Sequence, residues 1–335
     1  VRQSGTVVLS DTERDQNVVR VSLKTEVPAT CFPVFVRASV SPWLNNPVST
    51  LANVRVSLEM IKWEHSVFAL PFALCGAMLA ARGWPTTWQL CWIIAAMVSA
   101  RSAAMAFNRL VDAEIDAANP RTKTRAVPAG VLTKQFVALF VVIASAVFIL
   151  AAVMLNQLTL ILSPVALAIV FLYSYTKRFT RWSHLVLGFA LGVAPAAAWI
   201  AVRGSLDIRI LLLTGVVTFW VAGFDVLYAC HDCEFDASFG LHSIPRHYGI
   251  RCALLLARLM HLGMLLLLVG LVVTFGLGKL AMAGVAAVAL LLAYEHSLVS
   301  SRDLSKLNAA FFTMNGVISV VLFVFVAADL LWHRS

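Results

Sequence analysis

Charge is what this sequence has least of. Asp, Glu, Lys and Arg together make up 13% of its 335 residues, against 60% apolar residues. A soluble domain of that length needs a polar shell, and so few charges cannot supply one. An ordinary soluble enzyme is therefore excluded. A disulfide framework is missing too: Cys31, Cys75, Cys91, Cys230, Cys233 and Cys252 are scattered, most of them in or beside apolar runs. No basic start followed by a long apolar core marks a secretory signal peptide. The formal net charge of +9 is not the footprint of a nucleic-acid partner. The Lys and Arg residues punctuate apolar runs instead of forming a patch, so none is expected.

Long apolar runs are what the chain does have. About nine segments are of helix-spanning length: 66–82, 88–107, 134–155, 158–176, 183–202, 209–227, 253–275, 279–297 and 309–329. The first and fourth are short for a span. Turn chemistry separates several of them, as at Gly83-Trp84-Pro85, Asn156-Gln157 and Arg203-Gly204-Ser205. The expected fold is all-α, a polytopic helix bundle in the lipid bilayer around a central cavity. Residues 1–55 are polar and carry Pro28, Pro33, Pro42 and Pro47. They are expected to form a disordered tail ahead of a membrane domain at 56–335. Basic residues concentrate in alternate loops, with Arg121, Lys123 and Arg125, then Lys177, Arg178 and Arg181, then Arg246 and Arg251, then Arg302 and Lys306. The positive-inside rule places those loops and the N-terminus in the cytoplasm, and the expected location is the inner membrane.

Two acidic stripes interrupt this apolar body, Asn108-x3-Asp112-x3-Asp116 and Asp225-x6-Asp232-x3-Asp236. Carboxylates beside membrane helices are expensive, and function is the default reading. On continuous helices the first three residues share an arc of roughly 80° and the second three one of about 40°, at 100° per residue. Glu114 and Glu234 point off these faces. Two carboxylate stripes facing one cavity suit Mg2+, which in turn holds polyphosphate oxygens. Arg121, Lys123 and Arg125 follow the first stripe, and Lys177 and Arg178 offer a second cationic pair at the same membrane face. Such a site suits a substrate with a charged head and a hydrocarbon tail.

The segment from Asn108 to Asp116, continued by Asn119-Pro-Arg-Thr-Lys-Thr-Arg-Ala-Val-Pro-Ala-Gly130, resembles the first motif of the UbiA superfamily of intramembrane prenyltransferases. Asp225-Val-Leu-Tyr228-Ala-Cys-His-Asp232-Cys-Glu-Phe-Asp236, followed by Gly240-Leu-His-Ser243, resembles its second. The segment Ile61-Lys-Trp-Glu64-His65 through Pro71 and the stretch Tyr228 to Pro245 are similar to the 4-hydroxybenzoate polyprenyltransferase-like branch, including members tied to menaquinone. Ala126 departs from the proline found there in many members. The resemblance implies Mg2+-dependent transfer from a polyprenyl diphosphate to an aromatic acceptor, 4-hydroxybenzoate or a naphthoate-type acid, in ubiquinone or menaquinone biosynthesis. It implies Asn108, Asp112, Asp116, Asp232 and Asp236 as metal-diphosphate ligands, with Asp225 and Tyr228 on the same face. Phe107, Tyr173 and Tyr175 are candidates to shield an allylic cation. Arg178 or Lys177 is the expected anchor for an acceptor carboxylate.

Other readings are set beside these, among them a prenyltransferase with a porphyrin, homogentisate or glycerol phosphate type of acceptor. A transporter also carries intramembrane acids, but along the midplane rather than at helix ends beside Arg, Lys, Pro and Gly. Cys230-x2-Cys233 with His242-x4-His247 has zinc-ligand residues at unusual spacing, and helix-packing thiols explain the cysteines as simply. Glu64 and His65 read either as acceptor-site residues or as an interfacial pair. Glu295, His296 and Asn315 either line the acceptor side or bond between helices.

Overall fold

The helix boundaries follow the local chemistry of the chain. A computed structural model describes Met60, residues 66–299 and residues 314–332, so Glu64, His65 and residues 1–55 lie outside the described residues. Helix α1 (Ser66–Ala81) leads to α2 (Thr87–Val111), which starts in a capping box between Thr86 and Gln89. At Asp112 (φ −89, ψ 8) the helix breaks and restarts as the short α3 (Ala113–Ala118). Thr133 caps α4 (Lys134–Leu155) and Asn156 caps α5 (Gln157–Thr176). α6 (Ser183–Arg203) ends at Gly204, whose φ of 68 needs a residue without Cβ. After a 3-10 turn comes α7 (Leu211–Ala229), then a second 3-10 turn (Cys230–Asp232) and α8 (Cys233–Phe239). α9 (Ile244–Phe275) kinks at Gly249, and α10 (Lys279–Ser297) and α11 (Asn315–Trp332) complete the described chain.

Among the described residues eight helices are long and apolar enough to cross a membrane, counting Ile208–Phe239 as one. The ninth expected segment is α1, which follows directly on residues outside the described set. The first expected segment is described only as the 16-residue α1, and its apolar part, Ala69–Ala81, is shorter than a span. The last runs to Trp332 rather than to 329. The protein is an integral, multi-pass membrane protein.

The bundle has a centre and a rim. In the window holding α7, 67% of residues are buried, against 11% in α5. Outward on α4 and α5 point Leu139, Val142, Ile161 and Leu172, an apolar rim suited to lipid. Inside, Phe72 of α1, Leu213 and Trp220 of α7, Met264 and Leu268 of α9 and Ile318 of α11 form one core. Helices approach closely where side chains vanish. A Cβ on Gly188 of α6 would lie 2.2 Å from the Thr218 carbonyl oxygen, and one on Gly76 of α1 would lie 2.3 Å from that of Pro195.

Side-chain bonds identify the two ends of the bundle. At one end Asn156 donates to the carbonyls of Ile200 and Ala201, and Gln89 donates to that of Val202. At the other, Arg178 donates to the Val111 carbonyl and the His242 amide to the Lys177 carbonyl. Both acidic motifs, with their helix breaks, sit at this second end.

Candidate active site

A cavity of about 550 Å3 opens between α2, α5, α6 and α7. Much of its wall is apolar, including Ala96, Ala100, Ile169, Leu187 and Val221. Its polar end collects both motifs. Asn108, Asp112 and Asp116 line it from one side, and Asp225, Tyr228, Asp232 and Asp236 from the other. The continuous-helix arithmetic needs correction: each motif spans a break, at Asp112 in the first and over Cys230–Asp232 in the second. Glu114 is exposed and lies 3.8 Å from Lys134, and Glu234 is exposed as well.

The carboxylates are held by cations. Arg125 donates to both oxygens of Asp116 at 2.7 and 2.8 Å, with Arg109 at 3.7 Å. Arg178 lies 3.3 Å from Asp112, whose other oxygen accepts from Asn108 at 3.0 Å. From the loop after the first motif, Arg121 reaches Asp232 of the second in a two-pronged ion pair, and it donates to the Tyr228 hydroxyl at 2.8 Å. Asn119 adds a bond to Asp232 at 3.3 Å. Asp225 lies 2.7 Å from His184 Nδ1. Asp112 is 4% exposed, and burial holds its carboxyl above the usual carboxylate range despite the opposing charges of Lys177 and Arg178.

Several expected residues fall elsewhere. Lys123 is exposed and does not line the cavity. Arg178 does not line it either, since its guanidinium is engaged with Asp112 and the Val111 carbonyl. Of the aromatic candidates Tyr173 lines the cavity, whereas Phe107 packs at a tilt against Phe171 and edge-to-face with Tyr175, and neither Phe107 nor Tyr175 is on the wall. Trp220, Phe224 and Phe235 line it unforeseen. Glu295, His296 and Asn315 are not on its wall. Glu295 is buried, and His296 lies 2.9 Å from His261. The Cys230 thiol donates to the Val226 carbonyl, and His247 lies 2.6 Å from an Arg181 nitrogen.

Two residues went unread in the sequence. His184 gave no local signal, because its partner Asp225 is on another helix. Arg101 did give one: it is an arginine inside an apolar span, a residue type that marks function there. It lines the cavity.

The donor set suits a hard cation. The motif side chains named on the cavity wall offer carboxylate, carboxamide and phenol oxygens, with no thiol or imidazole among them, and the buried, under-compensated Asp112 favours added positive charge. Among the described residues no three acidic, His or Cys groups converge on one point, so there is no closed protein cage. Mg2+ fits such an arrangement, since it keeps waters and takes phosphate oxygens alongside one or two carboxylates.

Residues 69–317 match the model of the UbiA prenyltransferase family. The chain is 32% identical to a 4-hydroxybenzoate octaprenyltransferase of Vibrio cholerae over 272 residues, which cover 80% of this chain and 95% of that one. Its structure resembles that of a UbiA homologue from Aeropyrum pernix K1 in its apo form, with a TM-score of 0.73 and 33% identity over 79% of this chain and 98% of the other. A UbiA homologue from Archaeoglobus fulgidus bound to GPP and Mg2+ shares the fold at 17% identity, with a TM-score of 0.66 over 82% of this chain and 99% of that one. Sequence, fold and paired motifs agree: the chain belongs to the UbiA family and is a membrane prenyltransferase.

Proposed function

We propose that the protein transfers a polyprenyl group from its diphosphate to the ring of an aromatic carboxylic acid, 4-hydroxybenzoate first among the candidates, in quinone biosynthesis. The observation that carries this reading is a single cavity whose polar end holds both aspartate motifs and their arginines, while its walls are apolar. A diphosphate with a hydrocarbon tail matches that division. The name of the Vibrio relative supports the acceptor, and the Archaeoglobus homologue bound to GPP and Mg2+ supports the donor and the metal.

In this reading Asn108, Asp112, Asp116, Asp232 and Asp236 would hold Mg2+, and Asp225 and Tyr228 would complete the second face. A metal bound there would supply positive charge to offset that of the departing diphosphate. Arg121 and Arg125 exchange part of their carboxylate contact for phosphate oxygens, with Lys177 beside them. The C–O bond to the diphosphate breaks and its electron pair leaves with the phosphate. The ring carbon next to the acceptor hydroxyl donates a π pair to form the new C–C bond. Asp225, oriented by His184, takes the ring proton and aromaticity returns. The faces of Tyr173, Trp220 and Phe224 shield the allylic cation from water. The site end faces the cytoplasm, where diphosphate and acceptor are supplied. Labelling of single cysteines from outside should reach positions near Gly204 and Lys279 and miss those near Lys123 and Arg246.

The direct test incubates membranes holding the protein with a prenyl diphosphate, Mg2+ and a panel of acceptors, and identifies products by mass. A prenylated aromatic acid with stoichiometric diphosphate release is expected. Transfer only to acceptors lacking a carboxylate overturns the acceptor assignment. Movement of the diphosphate across the membrane without bond cleavage overturns prenyl transfer itself.

A further inference from the structure

At the end of the bundle away from the motifs, a second, open pocket of about 990 Å3 lies where the ends of α1, α6, α9 and α11 meet. Arg82, Arg203 and Arg209 line it. Basic residues of a membrane protein collect at one face as a topology signal, and here that face is the motif end, so these arginines are left over. Two acids share the pocket wall, and both are engaged. Asp207 pairs with Arg209, whose guanidinium also lies 5.2 Å from the centre of the Phe275 ring. Asp329 is buried and accepts from the amides of Gly278 and Ala281. The ion pairs among the described residues leave out Arg82 and Arg203. Trp199, in the same wall, carries a buried Nε1–H without an acceptor. The pocket is rich in donors and short of acceptors, and what two unpaired guanidiniums lack is an anion.

The backbone singles out Arg82 as well. Its φ of 52 is the only positive value at a described residue other than glycine. It directly follows α1, at a position where glycine takes that conformation without strain. Keeping a long cation there costs conformational energy, and such outliers gather at functional positions. The setting decides which anion. Leu206 and Ile208 belong to the pocket, and Ile208, at 78%, is the most exposed large apolar side chain described. Trp84 and Trp88 are exposed at the same end, the kind of residue that sits at headgroup level. A soluble anion gains nothing from exposed apolar neighbours, whereas a lipid places its phosphate on the cations and its chains on them. Phosphate oxygens also match the forked donors of arginine.

We propose that this pocket is a binding site for an anionic phospholipid, with its phosphodiester held between Arg82 and Arg203 and its acyl chains against Leu206 and Ile208. The phosphate would tie the end of α1 to the end of α6, and it displaces none of the bonds already made at this end. No residue of the site belongs to the motif end, so the site stands or falls apart from the prenyl-transfer reading.

The test uses the full chain in a neutral detergent and a phosphatidylglycerol carrying a photoreactive group beside its headgroup. Labelled residues are mapped by peptide mass. Label is expected within residues 79–84 and 199–209. Unlabelled phosphatidylglycerol should displace it at a concentration at least about 10-fold lower than phosphatidylcholine does, the scale of charge-assisted hydrogen bonds. In the paired variant Arg82→Gln/Arg203→Gln that preference should shrink to within about 2-fold. Arg82→Lys/Arg203→Lys should keep part of it, because the charge remains without the fork. An unchanged preference in the folded Gln variant overturns the proposal. On the unaltered protein alone, label confined to peptides of the motif end overturns it, and so does equal displacement by the two lipids, which is nonspecific lipid contact. Displacement by glycerol phosphate at the same concentration as by phosphatidylglycerol overturns the lipid assignment in favour of a soluble anion.

Discussion

The two ends of the bundle use their polar residues in opposite ways. At the end away from the motifs, polar side chains bond to backbone. Thr86 and Gln89 close a capping box, Asn156 caps α5 and donates to two carbonyls of α6, and Asp329 accepts from the amides of Gly278 and Ala281 at the start of α10. These bonds satisfy groups that every helix end leaves open. At the motif end, side chains bond largely to side chains, as in Arg121–Asp232, Arg125–Asp116, Arg178–Asp112 and His184–Asp225. The helices themselves break there, at Asp112 and at Cys230–Asp232. The difference teaches that one end is closed by bonds a ligand cannot replace. The other is held by ion pairs whose partners a metal and a diphosphate can take over.

The sharpest way to break that comparison is to remove a motif carboxylate. Asp112→Asn or Asp232→Asn should lower turnover by at least about 100-fold, the scale of losing a main electrostatic contact in an active site. Thermal unfolding of each variant shows whether the fold survives. Near-normal turnover in folded Asp232→Asn protein would remove the motif end from the chemistry. Chelation should act in the same direction. EDTA is expected to abolish product formation, and excess Mg2+ to restore it, with little change in the melting temperature. Activity that persists through exhaustive chelation would contradict the metal-diphosphate reading.

Changes away from the motifs should move stability instead. Gly188→Val forces side-chain atoms into the Thr218 backbone where a Cβ alone has only 2.2 Å. A destabilisation of about 1–3 kcal/mol is expected, read as a lower unfolding midpoint. Asn156→Ala removes a cap and two bonds to α6 and should lower stability by about 1–2 kcal/mol. The kcat of the folded fraction should stay unchanged. A specific loss of kcat in Asn156→Ala would show that the two ends are coupled, and the comparison would fail.

The smallest effect is expected at Asp207. Arg209 beside it holds its carboxyl down at about 2. A carboxylate depressed on folding adds stability above its unfolded pKa and loses it as pH falls through the folded value. Any contribution is therefore constant from pH 5 to pH 8 and declines only in strong acid. The pair is solvent-exposed and screened, so Asp207→Asn should leave the melting temperature at neutral pH within error. A clear shift would mean that this end relies on ion pairs as the other does.

Much of this was legible along the chain. Apolar length marked the spans, and the spacing of Asp112, Asp116, Asp232 and Asp236 marked the site. Arg121 and Arg125, expected as cations beside it, both line the cavity. What could not be read were partners. Arg121 sits one hundred and eleven residues from Asp232, and nothing local distinguishes it from Lys123, which stays outside the cavity. Arg178 looked free because Asp112 lies on a different helix. The helix breaks were hidden as well: an unbroken 3.6-residue period described both motifs adequately, and the bends at Asp112 and Cys230–Asp232 disturb that period too little to show.

The sequence by itself determined that the chain lives in a bilayer and carries two carboxylate motifs at helix ends. Both properties depend on residues near one another: the length of an apolar run, and the turn per residue that sets a face. Tertiary structure alone decided which arginine neutralises which aspartate and which aromatic rings face the cavity. It also decided that Arg101, alone among the cavity arginines described, stands without a carboxylate. Those outcomes depend on distances between helices far apart in the chain, and charge pairing falls off too steeply with distance for composition or periodicity to reveal it.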